Sequence, residues 1–412
     1  MTDSNGTRYP KLRAVDPRPI FHQGQQFLLL RDPLQMSDKT LLVPRPLVPV
    51  LALCDGTRED SKDLSTALAL RFGLQVEPEI IEQMLAALDE ALLLNNDHYA
   101  IARQRILVEY REAPHRTPAL AGGAYPSDSD ELRLMLDGYL DGAESASDLS
   151  SLSTDGRGLV SPHIDYARGG PIYARVWKRA ADMVRAAELV VVFGTDHFGG
   201  DRSLTLTRQN YATPFGVLPT AIEVVDALAE AIGEEAAFAG ELRHRGEHSI
   251  ELAAVWLHHI RKGEPVEMVP ILCGSFSSFV SGMADAESDP NINRFLDILK
   301  EATEGRRTII VAAADLAHIG PAFGGEPVDA SGRDRLKESD DELIAHMCAG
   351  DANGFLEAIC RAEDRNNVCG ISAIYLALRM LGAARGEEVA YDDCPADEFG
   401  TSLVSVCGVV FQ

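Results

Sequence analysis

The sequence predicts an α/β protein, a central sheet flanked by helices, preceded by a small winged-helix-like domain. Three observations carry that expectation. Beyond residue 116, apolar β-rich runs alternate with helical stretches. Residues 51–101 instead show helix, turn, helix and a short strand-like run. A polar break at Ala113-Pro-His-Arg-Thr-Pro118 lies between the two regions and reads as a linker. With 412 residues, 46% of them hydrophobic, the chain can bury a large core and is expected to hold more than one domain.

Residues 1–20 are polar and contain Pro10, Pro17 and Pro19, so they read as a flexible arm. A compact helical domain is expected over 21–112. Its first clear helix carries Leu64, Leu68 and Phe72 and stops at Gly73; the next starts at Pro78 and aligns Ile80, Ile81, Met84, Leu85, Leu88 and Leu92 on one stripe. Asn95-Asn96-Asp97 then reads as a turn into the strand-like His98-Tyr-Ala-Ile, the wing of a winged helix. From 116 to 412 the strand candidates are Gly158–Val160, Glu188–Phe193, Val266–Leu272, Thr308–Ala313 and Ser402–Phe411. Helices are expected through Trp256 and Ile260, over Asp340–Ile359 and over Ile371–Leu381.

Composition removes several functional classes. The formal charge of −25 repels phosphate backbones, and residues 1–115 hold 13 Lys plus Arg against 16 Asp plus Glu. A nucleic-acid partner is therefore not expected. No run approaches the ~18 apolar residues of a membrane span, and the first residues lack the basic and apolar regions of a secretory signal. The expected location is the cytoplasm. Seven cysteines, widely spaced and odd in number, read as reduced thiols. Cys348, Cys360 and Cys407 read as small core residues, and Cys394 as a packed loop residue rather than one edging a site.

Potential ligands fall where strands end, the usual place for sites in open α/β sheets. Leu159-Val-Ser-Pro-His163, Val190-Val-Val-Phe-Gly-Thr-Asp-His197 and Ile309-Ile-Val-Ala-Ala-Ala-Asp315-Leu-Ala-His318 each run a strand into a histidine. Cys369-Gly370 opens a helix, where the dipole favours thiolate. A strand-end histidine is more often a hydrogen-bonded structural residue than a ligand, but three in one chain shift the balance. Imidazole and thiolate together suit Fe, Cu or Zn rather than Mg or Ca. Gly246-Glu-His-Ser-Ile-Glu251 opens a further helix, with Glu favoured there by the dipole. It is not an inverted zinc-protease motif, because Leu252 stands where a second His is required. Neither a nucleophile elbow nor a phosphate-binding glycine loop occurs.

Two resemblances follow from these motifs. Leu51 to Ile101 resembles the PqqD-like peptide-recognition domains, which implies a protein or peptide partner for the amino-terminal domain. Residues 116–412 resemble the MEMO family (AmmeMemoRadiSam system protein B). The motifs are Arg116-Thr-Pro-Ala-Leu-Ala-Gly-Gly-Ala-Tyr-Pro, Pro162-His-Ile-Asp-Tyr, Gly194-Thr-Asp-His, Thr213-Pro-Phe-Gly, Glu247-His-Ser-Ile-Glu, Asp315-Leu-Ala-His and Cys369-Gly, in family order.

That resemblance implies a fold similar to class III extradiol dioxygenases and one metal ion, Fe(II) first and Cu or Zn as alternatives, on His163, His197 and Cys369. It places Asp315 and His318 in the same pocket, with Glu247 and His248 from a further matching motif. The expected roles are His318 as general base or acid, Asp315 tuning or orienting it, and His248 hydrogen-bonding the substrate or oxygen species. The implied activity is that of a non-heme iron oxygenase-like enzyme working with a radical SAM partner on a peptide, protein or small aromatic substrate. The alternative is a non-catalytic iron- or copper-binding partner or scaffold. Two departures alter the pocket: Asp165 stands where the family has Gly, and Phe198 where it has His. Asp165 either orients His163 or is merely solvated.

Overall fold

The computed structural model describes residues 9–22, 24–146 and 154–412. The chain divides into two compact units, 1–112 and 113–412. Among the described residues, no helix is long and apolar enough to cross a membrane.

The first unit opens with an antiparallel sheet of three strands in sequence order, β1 (Asp16–His22), β2 (Gln25–Arg31) and β3 (Leu41–Pro44). This corrects the reading of 1–20 as an arm, of which residues 1–8 lie outside the described residues. Pro17 and Pro19 are tolerated because β1 is an edge strand, where a missing N–H leaves no central ladder broken. Helices Val48–Leu53, Ser61–Phe72, Pro78–Glu90 and Asp97–Glu112 follow. Asp60 caps the second of these by accepting from the Lys62 and Asp63 N–H groups, and Gly73 ends it at φ +66°. Leu30, Val43, Leu53, Leu64, Leu68, Ile81 and Leu88 form the core. His98–Ile101, expected to be a wing strand, is the first turn of the helix Asp97–Glu112. The Asn96 carboxamide oxygen accepts from the Tyr99 N–H at 3.0 Å, so the polar run before it caps a helix rather than turning a hairpin.

The second unit is built on a mixed eight-stranded sheet. Its strands are β4 (Gly158–Ser161), β5 (Leu189–Thr195), β6 (Leu204–Leu206), β9 (Glu267–Cys273), β10 (Thr308–Ala313), β11 (His318–Ile319), β12 (Gly386–Pro395) and β13 (Leu403–Phe411). Between β6 and β9, β7 (Tyr211–Thr213) and β8 (Gly216–Leu218) form a separate hairpin. The strands β4, β10, β5 and β9 run parallel in that order. At one side β6 is antiparallel to β9; at the other β13 is antiparallel to β4, with β12 along its outer edge and β11 beside its first residues.

Every residue of β5 is buried because helices cover both faces of the sheet. Val191 and Phe193 pack into one apolar layer with the helices Ile222–Ile232, Pro290–Ala302 and Ile371–Leu381. Val190 and Val192 pack into the other, with the helices Tyr166–Arg179 and Ser249–Ile260. Such strands read as unbroken apolar runs, and each fully buried Val or Phe contributes about 1.5–3 kcal/mol. The helix expected over 340–359 is two helices, Ala330–Ala349 and Ala352–Arg361, divided at Gly350, whose φ of +69° stops the first.

Candidate metal centre

The parallel strands deliver their following residues to one end of the sheet. β4 leads through Pro162 to His163, β5 to His197, and β10 to Asp315 and His318. The Asp315 carboxylate fixes the first turn, accepting from the His163 and Ile164 N–H groups at 2.8 and 3.2 Å. Glu247 and His248 arrive from the start of the helix Ser249–Ile260. That helix can approach β5 because residue 194 is glycine: a Cβ there would lie 2.4 Å from Ile250 Cγ1 and 2.7 Å from Ser249 Oγ. Cys369 comes in on the turn opening the helix Ile371–Leu381, where a Cβ on Gly370 would meet Ala314 Cβ at 2.5 Å.

His163, His197 and His248 are brought together so that one ring nitrogen from each lies within 4.8 Å of the others, close enough to hold one metal ion. The rings of His197 and His248 stack at 4.7 Å, and His163 stands edge-on to both at 5.1 and 5.4 Å. Each ring has Nδ1 engaged by oxygen. In His163 it donates to the Ala313 carbonyl at 3.1 Å, while Glu247 takes His197 Nδ1 at 3.0 Å and His248 Nδ1 at 3.1 Å. Nε2 is then the nitrogen left to face an ion, in His163 with the Cys369 sulfur beside it. The residues present therefore fit a metal ion.

Electrostatics agree with that assignment. Burial, reinforced by His197 and His248, lowers the His163 pKa well below the usual imidazole value, so the ring is neutral and its lone pair available. Burial alone would lower His197 as well, but the Glu247 carboxylate raises it. Glu247, although buried, is held well below the usual carboxylate range by the two imidazoles and stays ionised. Cys369 meets the cluster at His163, Sγ to Nε2 3.4 Å, and burial raises its thiol pKa well above the ordinary value. It is not among the three residues whose donor atoms lie within 4.8 Å of one another.

A cavity of about 430 Å³ lies over the cluster, walled by His163, His197, His248, Asp315 and His318 with Leu252 and Phe323 among its apolar residues. His318 donates from Nδ1 to the Leu316 carbonyl at 3.2 Å, and burial lowers its pKa. Burial also raises the pKa of Asp315, and the charge of His318 opposes that shift. Asp165 does not reach His163. Its carboxylate caps the helix Tyr166–Arg179 through the Arg168 N–H at 3.1 Å and pairs with the Arg168 guanidinium at 2.7 Å, while Ala313 orients the imidazole instead. Phe198 is 47% exposed. Cys394 and Cys407 are buried; Cys360 borders a second cavity that also reaches Cys369.

The sequence reading missed the support beneath Glu247. Arg116, in the segment read as a linker, is 1% exposed and donates to the Glu247 carbonyl at 3.0 Å and to the His244 carbonyl. It pairs with Glu251 at 2.6 Å, and Glu251 also accepts from the Ala119 and Leu120 N–H groups and the Tyr125 hydroxyl. Glu251 thus ties down residues 116–125 as well as sitting in the first turn of its helix. The only signal in the sequence was that Arg116, Tyr125 and Glu251 all fall inside recognisable motifs.

Comparison with known proteins agrees with this arrangement. The family model for Memo-like proteins matches residues 116–409. A MEMO1 family protein of Aquifex aeolicus is 26% identical over 409 residues, covering 98% of this chain and 99% of the relative, so the similarity takes in the first unit. A MEMO1 family protein of Methanopyrus kandleri is 29% identical over 311 residues, 72% of this chain and 99% of the relative. One from Thermococcus kodakarensis is 29% identical over 290 residues, 67% of this chain and 91% of the relative. With the family model spanning most of its length, and all the residues of the histidine cluster inside that span, this chain belongs to the family of Memo-like proteins.

Proposed function

We propose that this protein is a metal-dependent, non-heme iron oxygenase-like enzyme acting on a small aromatic, peptide or protein substrate. The observation that supports this most is that one ring nitrogen from each of His163, His197 and His248 lies within 4.8 Å of the others, with the Ala313 carbonyl and Glu247 engaging the Nδ1 atoms. The ion is Fe(II) in this reading, with Cu or Zn the alternatives, held by His163 and His197 together with His248 or Cys369. When bound, iron or copper would supply a redox-active Lewis acid at these residues, and zinc a Lewis acid alone.

The chain's own residues account for the rest. His318 is neutral, and its Nδ1–H is committed to Leu316, so Nε2 is the atom that takes or returns a substrate proton. Asp315 holds the turn of His163 and lies close enough to bias the charge of His318. Leu252, Ile164 and Phe323 give the cavity an apolar wall that suits an aromatic ring. The resemblance of the first unit to peptide-recognition domains supports a protein or peptide partner there, a radical SAM enzyme being the candidate.

The test is elemental analysis of protein purified without oxygen, beside His163→Ala, followed by oxygen consumption with candidate aromatic and peptide substrates. One iron per chain in the wild type, its loss in the variant, and substrate-dependent oxygen uptake are expected. The Cys369 thiol beside His163 favours a second reading, a copper-binding protein without turnover. Stoichiometric copper with no oxygen uptake selects that reading. Capture of the full chain on an immobilised radical SAM protein encoded beside it tests the partner.

A further inference from the structure

Arg243 lies in the short turn Glu241–Arg245, just ahead of Glu247 and His248. Its guanidinium reaches across to the end of β5, where Nε donates to the Asp196 carboxylate at 2.6 Å, and Nη2 donates to the Thr205 hydroxyl of β6 at 2.8 Å. Its carbonyl accepts from the Gly246 and Glu247 N–H groups at 3.2 and 3.0 Å. Glu247 in turn accepts from the His197 N–H at 3.2 Å and engages the Nδ1 of the same residue at 3.0 Å. Because His197 follows Asp196 in the chain, four residues form a closed circuit: Asp196 to Arg243, Arg243 to Glu247, Glu247 to His197, and the peptide bond back to Asp196.

Two glycines leave room for this ion pair. A Cβ on Gly240 would stand 2.0 Å from Arg243 Nη2, and one on Gly199 would stand 2.7 Å from Asp196 Cγ. Neither glycine has a positive φ, so what each supplies is space rather than an unusual backbone. The Asp196 side chain is 1% exposed and that of Arg243 20%. A buried ion pair is a poor source of stability, because both charges leave water, and removing the two together is often neutral; what it fixes is geometry. Arginine suits that task, since its planar fork carries several donors in set directions and here bridges two acceptors at once. Asp196 is also held from the side of β9, its N–H donating to the Cys273 carbonyl at 2.9 Å.

We propose that Arg243 is a positioning residue of the metal centre. By tying the residue before His197 to the turn before Glu247 and His248, it sets the spacing at which imidazoles from two separate parts of the chain face one ion. It is not a ligand, and it lines neither of the two cavities that reach the cluster. Its hold on the ion runs through Asp196 and Glu247, as that of an outer partner runs through the ligands it orients. The proposal rests on the reading of the histidine cluster as a metal centre.

The experiment titrates the full-length metal-free protein with Co(II) and reads both the affinity and the visible cobalt bands, which follow coordination geometry. Asp196→Asn with Arg243→Met removes both charges together, so the net charge beside the cluster is unchanged. Ser249 Oγ, donating to the Thr195 carbonyl at 2.8 Å, still ties the helix Ser249–Ile260 to β5 in that variant. Affinity is expected to fall about 10-fold, the lower end of what outer partners of metal ligands contribute, and the bands are expected to change. A pair that served the fold alone would shift the thermal melt and leave affinity and bands as in the wild type. Gly240→Ala keeps both charges but places a methyl where the guanidinium lies. It is expected to weaken binding in the same direction by less, with the same change in the bands, and it decides the matter if the double variant does not fold. Wild-type affinity and bands in Gly240→Ala, or in a folded double variant, overturn the positioning role while leaving the metal centre standing. Wild-type protein that binds no cobalt at equilibrium overturns both.

Discussion

Glu247 holds two imidazoles with one carboxylate, so its removal should be felt at the metal rather than in the fold. Changing Glu247→Gln keeps the size but loses the charge that fixes His197 and His248, and metal affinity should fall about 10–100-fold in a competition titration. Asp165→Asn should leave affinity unchanged, because that carboxylate is committed to Arg168. Equal losses at both positions would mean that Glu247 has no special hold on the ligands. A different carboxyl, on the helix Ala330–Ala349, controls stability against pH. Burial pushes Asp340 from 3.8 up to about 6, outweighing the Ser405 and Tyr391 hydroxyls beside it. Because the folded value lies above the unfolded one, its contribution is fully present below pH 3.8 and disappears as pH rises through about 6. Asp340→Asn should remove that loss, gaining on the wild type by on the order of 2–3 kcal/mol between pH 4 and pH 8 in denaturant titrations. A constant difference across that range would refute the assignment.

Two contacts between elements decide whether the cluster assembles. Gly194→Ala places a methyl against Ile250 and Ser249, forcing the helix Ser249–Ile260 away from β5 at a cost of about 1–3 kcal/mol. A thermal melt should report that cost, and weakened metal binding should accompany it because Glu247 and His248 precede this helix. Arg116→Met leaves Glu251 buried without its cation and should cost about 3–5 kcal/mol. A loss under 1 kcal/mol would show that the N–H donors of Ala119 and Leu120 suffice. The same contacts explain what the sequence disclosed. The central strands were legible because burial on both faces leaves runs such as Val190–Phe193 without a polar break, and the strand-end histidines followed from them. His248 was expected at the site as a partner of the substrate, but its place in the ligand cluster with His163 and His197 was not legible, since it depends on how closely a helix packs on a glycine some fifty residues earlier. Asp165 carries the same lesson: its local use as a helix cap was set by Arg168, three residues on, and not by the neighbouring histidine. β1 was hidden because prolines signal a break everywhere except at a sheet edge.

At the scale of the molecule, the histidine cluster and both cavities belong to the second unit. Residues 113–412 expressed alone should fold and bind one metal ion with the affinity of the full chain, as equilibrium titration would show; failure to bind would make the first unit part of the site's support. The Methanopyrus kandleri relative, matched over 99% of its own length by 72% of this chain, agrees with that separation. The order of strands has a consequence for synthesis. The carboxy-terminal strand β13 does not lie at the rim: it sits between β12 and β4, and its Val404 pairs with His318 of β11. Synthesis must therefore have passed Phe411, and that residue must have left the ribosome, before the sheet can close. Until then β4, which leads to His163, keeps one flank open to mispairing, so a nascent chain stalled before Leu403 should depend on chaperones and be prone to aggregate.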